Sequence, residues 1–94
     1  MRINRDFIVR EIASENGEKT YYAVATGKAA KDFHGMLKLN RTAAFIWEGL
    51  NEGLSPELVA KKLSVVYDVS EEEAADDVKK TIGEMSSVGA VLPQ

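Results

Sequence analysis

The fold is decided by the stretch Lys38-Leu-Asn-Arg-Thr-Ala-Ala-Phe-Ile-Trp-Glu-Gly-Leu-Asn-Glu-Gly53. The side-chain oxygen of Asn40 is suited to cap a helix, because it can accept from the free amides of the first turn. Apolar residues then recur at helical spacing, and the only tryptophan, Trp47, lies in the middle of this stripe. Gly53 favours the left-handed backbone that ends a helix. The residues before this stretch predict a β-sheet, and the residues after it predict helices.

Residues 5–26 predict a β-hairpin with strands at about 5–14 and 18–26, both rich in β-branched and aromatic residues. The pair Asn16-Gly17 between them favours a two-residue type I′ turn, in which both positions need a positive φ. That turn places Val9 opposite Val24. We expect the bulkier face to lie on the core, and it carries Phe7, Val9, Ala13, Tyr22 and Val24.

A loop over residues 27–34 and a short third strand over residues 35–39 follow the hairpin. The loop contains the only histidine, His34, which we interpret as a loop residue without a catalytic role. In the strand, Leu37 and Leu39 point to one face, and the residues between them point to the other. The third strand ends the sheet, so its outer edge is either a plain sheet border or a docking site.

The first helix is predicted at about 41–52. Two further helices follow it, one at about 56–67 and one at about 71–88. Ser55 before Pro56 is a typical start for the first of these. Ser70-Glu-Glu-Glu73 is a capping box and marks the start of the second, which ends at Gly89. The apolar residues Ala90-Val-Leu92 are expected to fold back on the core. No internal repeat and no low-complexity segment is present.

Length and charge limit the possible functions. The 94 residues predict a single domain over 1–94. There is no cysteine, which excludes disulfides, thiolate metal ligands and a cysteine nucleophile. A chain without cysteine is also compatible with the reducing cytoplasm, where we expect the protein. No stretch is apolar for the roughly 20 residues of a membrane span. Residues 1–41 carry eight Lys/Arg against five Asp/Glu, whereas residues 42–94 carry four against ten.

The sequence offers no evident catalytic or metal site. Carboxylates gather at helix starts, where capping and solvation explain them, and no phosphate-binding loop is present. Three strands and three helices can also form a DNA-binding winged helix, whose recognition helix would be the third helix. Residues 71–84 of that helix carry six acids against two lysines, which would repel phosphates. We therefore rank DNA binding below peptide binding.

The chain resembles the PqqD family over almost its whole length, from Phe7 to Leu92. The resemblance rests on Leu39-Asn-Arg-Thr-Ala-Ala-Phe-Ile-Trp47 followed by Gly53, a combination that is fairly specific. Weaker matches follow in the helical half: Ser55-Pro-Glu57, Leu63, Tyr67-Asp-Val-Ser70, Glu73-Ala74 and Asp77-Val78. The chain departs from the family pattern at its ending, Gly89-Ala-Val-Leu92, and at Gly83 within the third helix.

The resemblance implies an α+β fold similar to a winged helix-turn-helix, with a three-stranded antiparallel sheet followed by a three-helix bundle. It implies a non-catalytic peptide chaperone without cofactor or metal, also called a RiPP recognition element. Such a domain binds the leader of a ribosomally made precursor peptide and presents it to a modifying enzyme, often a radical SAM enzyme, as in pyrroloquinoline quinone (PQQ) biosynthesis. We expect a monomer or weak dimer that binds no nucleic acid or membrane.

In the family the leader is added as a strand beside the third strand and packs against the third helix. The acidic third helix is expected to pair with Lys or Arg of the leader. Two alternatives stay open, a winged-helix DNA-binding regulator and a scaffold domain in an unrelated pathway. The peptide-binding residues expected here are Gly35, Met36, Leu37, Lys38, Leu39, Asp76, Lys79, Lys80 and Gly83.

Overall fold

The computed structural model describes residues 2–33 and 35–92, with Asp32 described by its backbone only. The predicted α+β, winged helix-turn-helix-like fold is confirmed, and its three-stranded antiparallel sheet has the order Phe7–Ala13, Lys19–Ala25, Met36–Leu39. His34, which we interpreted as a loop residue, lies outside the described residues. In chain order the elements are β1 (Arg2–Ile3), β2 (Phe7–Ala13), β3 (Lys19–Ala25), α1 (Ala29–Asp32), β4 (Met36–Leu39), α2 (Arg41–Asn51), α3 (Pro56–Val66), α4 (Glu71–Ser87) and β5 (Val91–Leu92).

The three long helices begin at the residues that their caps predict. A side-chain oxygen at each start accepts a hydrogen bond from the amide three residues later, at 2.8 Å for Asn40, 3.2 Å for Ser55 and 3.0 Å for Ser70. Each bond satisfies one of the amides that a helix start leaves free. Gly53, just after α2, has a φ of +96°, which turns the chain away from the helix axis. Local chemistry therefore sets the helix starts.

The turn between β2 and β3 differs from the prediction. The loop has three residues instead of two, and the Gly17 amide donates to the Ser14 carbonyl at 3.0 Å. Gly17 has a φ of +85°, whereas Asn16 does not take a positive φ. The Asn16 side-chain oxygen accepts from the Ser14 hydroxyl and from the Glu18 amide. These bonds favour a turn with one left-handed residue, the common three-residue hairpin loop.

The longer loop shifts the strand register by one residue. Val9 lies opposite Ala23 and not opposite Val24. A shift of one residue turns a whole strand over, so the prediction that Tyr22 and Val24 lie on the core face is wrong. Phe7 and Val9 do face the core, while Ala13, at the end of β2, is exposed. The β3 side chains that pack on the core are Tyr21, Ala23 and Ala25.

The core lies between one face of the sheet and the three long helices. Trp47 and Phe7 are its two largest fully buried side chains, with ring centroids 6.1 Å apart. Phe33 also packs against Phe7, with a distance of 6.1 Å between the ring centroids. Trp47 is thus the core residue that the sequence indicated, and it joins α2 to the sheet.

Two short strands that were not predicted join the two ends of the chain. β1 and β5 pair antiparallel, with Arg2 opposite Leu92. The Asn4 amide donates to the Ala90 carbonyl at 2.7 Å, and the Asn4 side chain donates to the Gly89 carbonyl at 3.1 Å. Ala90 is fully buried, so the apolar tail folds back on the core as expected. We call this pair of strands, with Asn4, the terminal clasp.

Candidate functional site

Strand β4 forms one edge of the three-stranded sheet. Its inner side pairs with β3, from Met36 opposite Val24 to Leu39 opposite Tyr21. Within residues 2–33 and 35–92, no strand pairs with its outer side. The outer side therefore presents backbone N–H and C=O groups to which another strand can bind.

The side chains of β4 alternate as its sequence predicts. Leu39 is buried and Leu37 packs against the core, whereas Met36 is 58% exposed and Lys38 is exposed. Gly35, just before the strand, has a φ of +138°, a conformation that residues with a side chain rarely adopt. The strand is thus fixed to the core by its leucines, while its other face and its edge stay accessible.

A cavity of about 380 Å³ lies between β4, the start of α2 and α4. We call it the β4–α4 groove. Asn40, which caps α2 directly after β4, forms the corner between strand and helix. Thr81 on α4 is only 6% exposed. The lining residues are Lys38, Leu39, Asn40, Thr42, Ala43, Asp77, Lys80, Thr81 and Glu84.

The charges of the β4–α4 groove are balanced. Its two acids, Asp77 and Glu84, both come from α4, and its two bases are Lys38 and Lys80. The other acids of α4, Glu71 to Glu73 and Asp76, do not line this cavity. The groove therefore does not have the acidic wall that the overall charge of the helix predicted, and it offers partners to side chains of either sign.

The nine residues predicted to bind peptide do not all lie together. Lys38, Leu39 and Lys80 line the groove, and Gly35 to Leu37 continue the same strand segment. Asp76 and Gly83 are exposed on α4 but do not line the groove. Lys79 lines a different cavity of about 290 Å³ between α3 and α4.

Sequence reasoning missed six of the groove residues. Asp77, Thr81 and Glu84 follow each other at spacings of four and three residues, so they share one face of α4. This pattern was visible, but choosing between the two sides of the helix requires knowing which side packs on α3. The other three follow β4 directly and carry no separate signal: Asn40, Thr42 and Ala43.

The described residues show neither a metal site nor a membrane span. Across residues 2–33 and 35–92, no three His, Cys, Asp or Glu side chains gather as metal ligands. Among the described helices, none has both the length and the apolar character needed to cross a membrane. The charge of α4, the helix that would enter a DNA groove, is unfavourable for contact with phosphates.

Two solved structures are similar to this chain over nearly its whole length. One is TbiB1 in complex with the TbiA(beta) leader peptide, with 15% identity, a TM-score of 0.71 and coverage of 100% of this chain and 98% of that chain. At that identity the likeness concerns the fold. The other is a lasso peptide synthetase B1 complexed with the leader peptide, with 25% identity, a TM-score of 0.69 and coverage of 98% and 96%.

No curated protein sequence matches the chain. A family model described as coenzyme PQQ synthesis protein D (PqqD) matches residues 17–91. The matched segment extends from the loop between β2 and β3 to the first residue of β5, and so contains β3, β4 and the three long helices. It thereby contains every residue that lines the β4–α4 groove. The chain belongs to the PqqD family.

Proposed function

We propose that this protein is a non-catalytic recognition domain that binds the leader of a ribosomally made precursor peptide and presents the peptide to a modifying enzyme. The observation that carries the proposal is the outer edge of β4 beside the β4–α4 groove, with which no strand pairs in the part of the chain that the structure describes. Family membership supports it. Further support comes from the similar lasso peptide synthetase B1, which is complexed with a leader peptide.

The leader binds in extended form as a fourth strand of the sheet. Its backbone bonds to the outer edge of β4 and provides affinity for many sequences. Successive side chains of a strand point to opposite faces, so every second leader residue enters the β4–α4 groove. Within the groove, these leader side chains meet the apolar residues Leu39 and Ala43 and the charged side chains that also line it.

The residues proposed to contact the leader follow from this geometry. They are the segment from Gly35 to Leu39 together with Asp77, Lys80, Thr81 and Glu84 of α4. Asp76, Lys79 and Gly83 are left out, because they do not line the groove. The balance of charges in the groove favours a leader with side chains of both signs.

The modifying enzyme is proposed to be a radical SAM enzyme or another peptide-modifying enzyme. The proposal rests on the family resemblance of the sequence. A short peptide gene and a radical SAM gene beside the gene for this protein would support it. Neighbouring genes without any peptide precursor would favour a scaffold role in another pathway.

The direct test is an NMR titration of the protein with the precursor peptide encoded nearby. We expect the amide signals of residues 35–39 and of the groove face of α4 to shift in a saturable manner. Shifts scattered over the surface, or no shifts with any neighbouring peptide, would contradict leader binding.

Two adjacent lysines provide a matched pair of variants. Lys80→Trp adds a bulky side chain to the groove, while Lys79→Trp makes the same change of charge and volume at the α3 side of the same helix. We expect Lys80→Trp to weaken leader binding by at least about tenfold, or about 1.4 kcal/mol. Lys79→Trp should bind like the wild type. Equal effects of the two variants would show that the leader binds elsewhere.

A further inference from the structure

A second and larger cavity lies between α2 and α3. Its volume is about 560 Å³. No residue lines both this cavity and the β4–α4 groove, so a molecule bound here leaves the lining of the leader site untouched. We call it the α2–α3 groove. Its apolar lining consists of Phe45, Gly49, Leu54, Val59, Val65 and Val66.

The apolar lining of the α2–α3 groove continues onto the open surface at the end of α3. Val65 is 81% exposed and Val66 is 60% exposed. Single exposed apolar residues are ordinary. Here two exposed valines belong to the lining of an apolar groove and extend it into one apolar surface, which is the kind of surface that interaction sites use.

The acids and the bases of the α2–α3 groove lie on opposite sides. The acids are Glu48 on α2 and Glu52 directly after its last residue, and the bases, Lys61 and Lys62, lie on α3. All four are exposed. A partner whose charges are of one sign only would be repelled at one of the two sides, so the surface favours a partner that carries both signs.

We propose that the α2–α3 groove is an interface between two copies of this chain, related by a two-fold axis that runs along the groove. Such an axis places the acidic side of each copy against the basic side of the other. A two-fold interface uses the same surface on both copies, so the surface must complement itself. This surface does so, because it carries an apolar centre between one acidic and one basic side.

The association goes beyond the proposed leader binding and does not depend on it. Each copy keeps its own β4 edge and its own β4–α4 groove, because the two cavities share no lining residue. A dimer would therefore offer two leader sites.

The first test is sedimentation equilibrium of the wild-type protein at concentrations up to about 1 mM. We expect a monomer–dimer equilibrium with a dissociation constant between about 10 μM and 1 mM. Added salt should raise this constant, because the facing charges are exposed. A wild-type protein that stays monomeric at about 1 mM would overturn the proposal and leave the surface to a different protein.

The decisive test uses two variants with all four charges of one sign. Glu48→Lys/Glu52→Lys makes both sides basic, and Lys61→Glu/Lys62→Glu makes both sides acidic. Each variant alone should be monomeric, with a dissociation constant raised at least about tenfold. Mixed in equal amounts, the two variants should form a heterodimer, because every facing pair is then of opposite charge. A mixture that stays monomeric would overturn the proposal.

The control is Lys28→Glu/Lys31→Glu, which reverses two exposed lysines away from the groove. It should dimerise like the wild type. Circular dichroism checks that every variant is folded, and titration with the leader peptide checks that the β4–α4 groove still binds. Dimerisation and leader binding are thus measured separately, so one can fail without the other.

Discussion

At the scale of single residues, Trp47 combines the largest buried volume with an incomplete set of hydrogen bonds. The side chain is fully buried, and its indole nitrogen Nε1 has no hydrogen-bond partner among the described residues. A buried donor without a partner costs free energy. The packing of the ring against Phe7 therefore offsets an unfavourable polar burial.

We expect Trp47→Phe to lower the free energy of unfolding by only about 1–2 kcal/mol, because the lost volume is partly offset by removal of the unpaired N–H. Trp47→Ala should cost about 3–5 kcal/mol, since it leaves a large cavity. Urea denaturation followed by circular dichroism measures both. Equal decreases in the free energy of unfolding for the two variants would show that the unpaired indole N–H does not destabilise the folded protein.

The cap of α4 gives a second prediction for a single side chain. Ser70→Ala removes the acceptor of the Glu73 amide, so we expect a loss of about 1 kcal/mol. Ser87→Ala is the matched control. Its hydroxyl donates to the Glu84 carbonyl at the other end of the same helix and satisfies no free amide. Thermal unfolding of both variants should show a clear decrease in the melting temperature for Ser70→Ala only.

At the scale of elements, the edge of β4 determines how the proposed leader would bind. The side chains of Leu37 and Leu39 face the core, and those of the other two residues face away. The backbone N–H and C=O groups of the strand point either to β3 or to the opposite edge. In an antiparallel pair the N–H groups of one strand alternate between its two sides. We therefore expect only the amides that point to β3 to be protected from hydrogen exchange in the free protein.

Hydrogen exchange of residues 36–39 should therefore alternate between slow and fast in the free protein. Saturation with the leader peptide should slow the fast amides, because the added strand accepts their hydrogen bonds. NMR exchange measurements with and without peptide test this at each residue. Amides that stay fast in the peptide-bound protein would show that the leader uses side-chain contacts and not the strand edge.

The hairpin shows which part of an element the sequence does not determine. The pair Asn16-Gly17 fits a two-residue loop in which both residues have a positive φ. It also fits a three-residue loop in which only the glycine has a positive φ. The choice depends on hydrogen bonds of Ser14 and Asn16 that no pattern of residue types displays. In contrast, Asn40, Ser55 and Ser70 act within one turn of their own helices, so their effect could be predicted from the sequence.

At the scale of the whole molecule, the parts that escaped prediction are those made by residues far apart in the chain. Asn4 and Gly89, which meet in the terminal clasp, are separated by 85 positions. The side of α4 that faces β4 is likewise set by its packing on α3. The edge of β4 could be predicted, because it follows from the order of the strands.

Asn4→Ala tests the contribution of the terminal clasp. The side chain donates to Gly89 and accepts from the Asp6 amide at 3.0 Å. We expect a loss of about 1–2 kcal/mol in the free energy of unfolding, with unchanged leader binding. Asn4→Asp keeps the acceptor but loses the donor to Gly89. If Asn4→Asp unfolds at the same urea concentration as the wild type, the side-chain bond from Asn4 to Gly89 contributes nothing to stability.

The pairing of Arg2 with Leu92 also makes the protein suitable for circular permutation. The Cα atoms of residues paired across an antiparallel ladder lie about 4.5–5.5 Å apart, so a short glycine-rich linker can join positions 2 and 92 directly. The exposed loop between β2 and β3 is then a natural place to open the chain. A permutant that begins at Lys19 would carry β3 and β4 early and β2 last, and the proposed leader site would remain on continuous polypeptide.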